Sequence, residues 1–126
     1  MIIYNVTLNI EENIHDEWLN WIKEHIPQVL ATGKFTDAKL TRVLVEQDIE
    51  GFTYSIQYRA KSREDLEAYY QHHADRLRQD GLKRFADKML AFRTELEIID
   101  EYSDLDMLIV LVGKSKKTFR TAFFKR

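Results

Sequence analysis

Cysteine is absent from this 126-residue chain, proline occurs once and glycine four times. The first absence excludes disulfides, thiolate zinc sites and a cysteine nucleophile, and it suits a reducing compartment, so the cytoplasm is the expected location. The scarcity of proline and glycine, beside 44% hydrophobic and 32% charged residues, excludes a disordered or low-complexity chain. Long apolar runs are missing as well. The longest, Met107 to Val112, falls far short of the ~20 residues that a membrane-crossing helix needs. The opening stretch, Met1 to Leu8, lacks the basic, apolar and small-residue pattern of a signal peptide. No membrane role is therefore expected. There is no phosphate-cradling glycine loop, no nucleophile elbow and no paired-carboxylate signature, which sets aside hydrolase and nucleotide-dependent chemistry.

Basic charge is scarce over most of the chain. Residues 1–103 carry 13 Lys and Arg against 19 Asp and Glu, whereas residues 104–126 carry six against two. An acidic body has no general attraction for nucleic acid, whose binding begins from a basic surface. Nucleic-acid binding is accordingly not expected. The length suits one domain with one core, which leaves enough surface exposed for pairing with a second copy to add burial.

What is present is a sharp hydrophobic pattern. Ile2, Tyr4, Val6, Leu8 and Ile10 alternate with Ile3, Asn5, Thr7 and Asn9, as in a half-buried strand. Asn13 is a candidate helix cap, and Ile14, Trp18, Trp21, Ile22, His25 and Ile26 recur at helical spacing up to Pro27, so a first helix is predicted to end near His25. Gly33 stops the bent link that follows. Runs over 38–46 and 52–60, joined by turn chemistry at 48–51, predict a hairpin whose second strand sets Phe52, Tyr54, Ile56 and Tyr58 against Thr53, Ser55, Gln57 and Arg59. Ser62 with Asp65 resembles a capping pair, and Leu66, Tyr69, Tyr70, His73 and Leu77 follow as a helical stripe. Gly81 is predicted to interrupt that helix before a short extension through Leu82, Phe85 and Met89. Phe92, Thr94, Leu96 and Ile98 then alternate as a fourth strand. The order βαββαβ predicts a ferredoxin-like α+β fold, with helices on one face of an antiparallel sheet and the other face open. Residues 1–103 form the predicted domain. Residues 104–126 form an extension, read either as an added strand with a basic tail or as a partner-binding arm.

The order of elements, the Trp18 and Trp21 pair, the EHIPQVLATGKF stretch from Glu24 to Phe35 and AFRTELE from Ala91 to Glu97 resemble small bacterial proteins grouped as a domain of unknown function. That family falls in the dimeric α+β barrel superfamily, which includes antibiotic-biosynthesis-type monooxygenases. The resemblance covers about 1–101. It implies that two ferredoxin-like sheets pack their open faces into a barrel, so that the partner is a second copy of the chain. Fold alone does not choose among the superfamily's cofactor-independent monooxygenases, isomerases, haem-degrading enzymes and ligand sensors. His25, Ile26 and Pro27 with Gly33 are similar to a stretch ending the first helix in some small-molecule-handling members. The haem-degrading pattern matches at Asn5 and His73 but not in its tryptophan, since both lie on the first helix, so no cofactor is expected.

The candidate site residues follow from side-chain chemistry. Neutral imidazole accepts a proton near pH 7, which makes His25 and His73 the candidates for acid–base or ligand contact; each also has a plain structural reading in a core. Trp21, His25, Tyr58, Tyr69 and His73 are expected nearest a ligand pocket between helices and sheet, where aromatic walls suit a planar molecule. Without cysteine or an H-E-x-x-H pattern, no metal site is expected. The leading reading is a dimeric protein that binds a small organic ligand. The alternatives are a cofactor-independent monooxygenase or isomerase, and an interaction module that uses the tail. On the open sheet face, Asn5, Thr7, Gln57, Arg59, Arg93, Glu95 and Glu97 are expected, a polar surface that a dimer would have to pair.

Overall fold

The computed structural model of the chain describes residues 1–44 and 50–105. Four antiparallel strands, β1 (Ile2–Ile10), β2 (Phe35–Arg42), β3 (Phe52–Ala60) and β4 (Met89–Glu97), form one sheet in the order β2-β3-β1-β4. The helical layer comprises α1 (His15–Leu30), α2 (Arg63–Tyr69) and α3 (Asp75–Phe85), with a π-helical turn, Tyr70–Ala74, joining the last two. This is the predicted ferredoxin-like arrangement. Most of the predicted extension lies outside the described residues, as do Val45 and the start of the predicted hairpin turn.

The pairing of β1 with β3 explains the core. Tyr4 sits opposite Tyr58, Val6 opposite Ile56 and Leu8 opposite Tyr54, so one alternating set from each strand reaches the helices and is buried. Trp18, Ile22 and Val29 of α1, Leu66 of α2 and Phe85 of α3 close over them, fully buried or nearly so. Each such side chain stabilises the fold by about 1.5–3 kcal/mol relative to exposure.

Five local expectations are corrected. Asn13 does not cap α1: it lies within a 3-10 turn, Glu12–Ile14, and no side chain caps the helix that follows. α1 does not end at His25 but runs through Pro27 to Leu30. Proline removes one donor to the carbonyl of Lys23, and because Lys23 and Pro27 are both exposed, water can take that place. Gly33, with φ of 78°, then ends the helix, its N–H donating to the Leu30 carbonyl. Strand β2 begins earlier than predicted, at Phe35, and ends at Arg42. Gly81 does not interrupt its helix either. It is buried within α3, and a Cβ there would fall 2.8 Å from the Trp21 ring. The glycine is a packing requirement rather than a stop.

The fifth correction concerns β4. Its register sets Arg93 opposite Val6, Glu95 opposite Tyr4 and Glu97 opposite Ile2, so these three charged residues share the helix side. Leu90, Phe92, Thr94 and Leu96 pair with Asn9, Thr7, Asn5 and Ile3 and belong to the open face. The apolar alternation is present as expected, but it falls on the open face and not on the helix side. There Phe92 is 71% exposed, Leu90 59% and Leu96 44%. The open face is therefore a hydrogen-bonded centre, in which Ser55 donates to Asn5 and Asn5 to Thr94, flanked by an apolar edge.

Candidate functional site

The helix spacing places Trp21 and His25 one turn apart on the inner side of α1, and their rings stack at 4.4 Å with 23° between planes. Trp21 is fixed from three directions. Its indole N–H donates to Asp80 at 2.7 Å, its edge meets Phe85, and its outer ring fills the space left by Gly81. Beside this pair is a cavity of about 260 Å³. Tyr4, Val6, Leu8, Ile56 and Tyr58 from the sheet form its floor, and α1 and α3 its roof. Met89, Ala91 and Arg93 of β4 flank it.

The π-turn decides what the second helical segment contributes. Its buried positions are Leu66, Tyr69, Ala74, Leu77, Gly81 and Phe85, and the five-residue step from Tyr69 to Ala74 is one wide turn. Both Tyr69 and Tyr70 thereby contact Tyr4, at 5.8 and 5.6 Å between ring centres. The same step moves His73 off the buried stripe, to a half-exposed position beside Arg76 and 6.4 Å from the Tyr69 ring.

Burial pulls the His25 pKa down to about 4 against an opposing pull from Asp80, so its imidazole is neutral at pH 7. Its Nδ1 is buried without a hydrogen-bond partner. Arg78 donates from Nη2 to the Tyr4 hydroxyl at 2.9 Å, while its Nε is likewise buried and unpartnered. Burial, reinforced by Tyr4, pushes Tyr69 up to about 12, with Arg78, Arg93 and Arg76 opposing. Burial, then Tyr69 and Tyr4, also raises Tyr58. These phenols stay protonated at neutral pH. Glu95 is held ionised chiefly by hydrogen bonds from Tyr70, at 2.6 Å, and Arg63, at 2.7 Å. Among the described residues, no group of three or more His, Asp or Glu side chains is placed to hold a metal ion.

Four of the five sequence-predicted residues, Trp21, His25, Tyr58 and Tyr69, line this one cavity, and His73 does not. Sequence reasoning missed Tyr4, Arg78 and Arg93. Tyr4 read as ordinary core, Arg93 was assigned to the other face, and Arg78 resembled any surface arginine on a helix assumed to be regular.

No curated protein sequence matches the chain. In three dimensions it is similar to a dimeric ferredoxin-like protein from an uncultured marine organism, with a TM-score of 0.65 at 12% identity over 80% of this chain and 97% of that one. It is also similar to an EthD (ethyl tert-butyl ether) family protein from Bacillus halodurans, with a TM-score of 0.59 at 20% identity over 79% of this chain and 100% of that one. A candidate antibiotic biosynthesis monooxygenase from Deinococcus radiodurans has a TM-score of 0.51 at 15% identity over 82% of this chain and 97% of that one. At these identities the likeness establishes the fold. Residues 1–99 match the family described as domain of unknown function DUF4286, and with that match over most of its length the chain belongs to this family.

Proposed function

We propose that the chain is a cytoplasmic protein that pairs through its open sheet faces as a dimeric α+β barrel and binds a small, flat organic ligand in the cavity between helices and sheet. The body of the domain spans 1–103, with 104–126 as an extension. The observation that carries the ligand reading is the coincidence of an aromatic-walled cavity with two buried, unpartnered donor-capable nitrogens at its margin, on His25 and Arg78. Buried polar groups are ordinarily paired, by protein, water or ligand. The dimer reading is supported by the exposed apolar edge of β4 and by the dimeric state of a similar ferredoxin-like protein.

Filling the cavity tests the reading. Ala91 is a half-buried lining residue, and Ala91→Phe should abolish calorimetric binding of naphthalene-ring probes while leaving the circular dichroism unchanged. Unaltered binding in a folded Ala91→Phe variant would place the ligand elsewhere.

A second reading, a cofactor-independent oxygenase or isomerase, draws on the neutral His25 ring within the cavity. In that case His25 acts as the proton acceptor. Turnover that is unchanged in His25→Ala would remove it from that role.

A further inference from the structure

The lining of the cavity contains two arginines, Arg78 and Arg93, and no carboxylate, in a chain where acidic residues outnumber basic ones. Neither guanidinium is paired with an acidic side chain among the described residues. Arg78 donates to the Tyr4 hydroxyl. For Arg93, the nearest carboxylate on its own strand face is Glu95, already engaged by Arg63 and Tyr70. Arginine keeps its charge at any pH a protein survives, so two cations without an ion-pair partner among the described residues border a largely aromatic and aliphatic space.

Resting on the ligand reading above, we infer that the cavity selects a planar organic anion of one or two rings, its flat body against the aromatic walls and its anionic oxygens accepting from Arg78 and Arg93. The size is consistent: a cavity of about 150 Å³ holds benzene, and this one has about 260 Å³. Charge-assisted hydrogen bonds from guanidinium to a carboxylate or enolate are about twice as strong as neutral ones. The neutral imidazole of His25 keeps one N–H that could donate to the same anion, and the protonated phenols of Tyr58 and Tyr69 add donors rather than repulsion.

The test compares 1-naphthoate with its neutral counterpart 1-naphthamide by calorimetry on the full chain, and repeats both with Arg93→Met, Arg93→Lys and Arg78→Met. The expected result is that naphthoate binds at least about tenfold tighter than the amide. Arg93→Met should remove most of that preference and Arg93→Lys only part, with amide binding unmoved. Equal binding of the two probes overturns the anion inference and leaves the ligand cavity standing. A preference that survives in both methionine variants overturns it too. Binding of neither probe removes the cavity reading and this inference together. Arg93 is exposed, so its variants decide the matter if Arg78→Met does not fold.

Discussion

The two faces of the sheet meet their polar groups in opposite ways. On the helix side, apolar residues of β1 and β3 are covered, and two buried polar nitrogens, on His25 and Arg78, stand unpartnered at one cavity's edge. On the open side, the polar centre is satisfied within the chain through Asn5, Ser55 and Thr94, and it is the apolar residues of β4 that lack cover. The contrast teaches what each face is short of. The helix side leaves two buried nitrogens at the cavity without partners, which the proposed ligand would supply. The open side leaves apolar surface uncovered, which a second sheet would cover in the proposed dimer.

The comparison can be broken most forcefully from the core. Trp18 is completely buried on the helix side, and Trp18→Ala should cost about 3–5 kcal/mol in urea unfolding. Gln57→Ala on the open face should stay under about 1 kcal/mol. Similar losses at both sites would mean that the two faces do not differ as described. Next in size is the apolar edge. Placing a charge there by Phe92→Asp should weaken a sheet-to-sheet dimer at least about 100-fold, read by light scattering as a shift to monomer mass. A dimer of undiminished strength would move the interface off this face.

The smallest effect sharpens the account of the cavity. The fold holds His25 near a pKa of about 4, below the 6.5 of an unfolded histidine. Burial therefore favours the neutral ring, and the unfolded chain takes up the proton first. The associated stability is present above pH 6.5 and is lost as pH falls through 4. Between those limits the wild type should lose about 2–3 kcal/mol more than His25→Phe. Parallel pH profiles for the two proteins would show that His25 is not desolvated as its surroundings imply.

Much of this was legible in the residues, and the parts that were not share a cause. The faces of β1 and β3 could be read because alternation there coincides with burial under helices. On β4 the alternation was equally clear, yet periodicity says only which residues share a face, not which layer that face meets. Phe92 and Leu96 looked like core because core is the commoner fate of such residues. Gly81 looked like a stop because a glycine's usual cost in a helix hides the case in which a partner ring occupies the space of its missing side chain. Trp21, His25 and Tyr69 could be placed at the cavity because aromatic chemistry and helical spacing agree, and Tyr58 because strand alternation puts it on the helix side. His73 was placed beside them by assuming 3.6 residues per turn through a segment that takes five in one turn.

That wide turn between Tyr70 and Ala74 also bears on how this chain is compared with its relatives. A π-turn amounts to one residue inserted into an α-helix without a loop to mark it. A relative lacking the insertion would align on either side of the turn only with a single gap. Paired without that gap, its cavity residues before or after the turn would be matched to neighbours such as His73 that face elsewhere. Residue roles carried between members across this segment are therefore trustworthy only when the helical register, and not the column of an alignment, is what is matched.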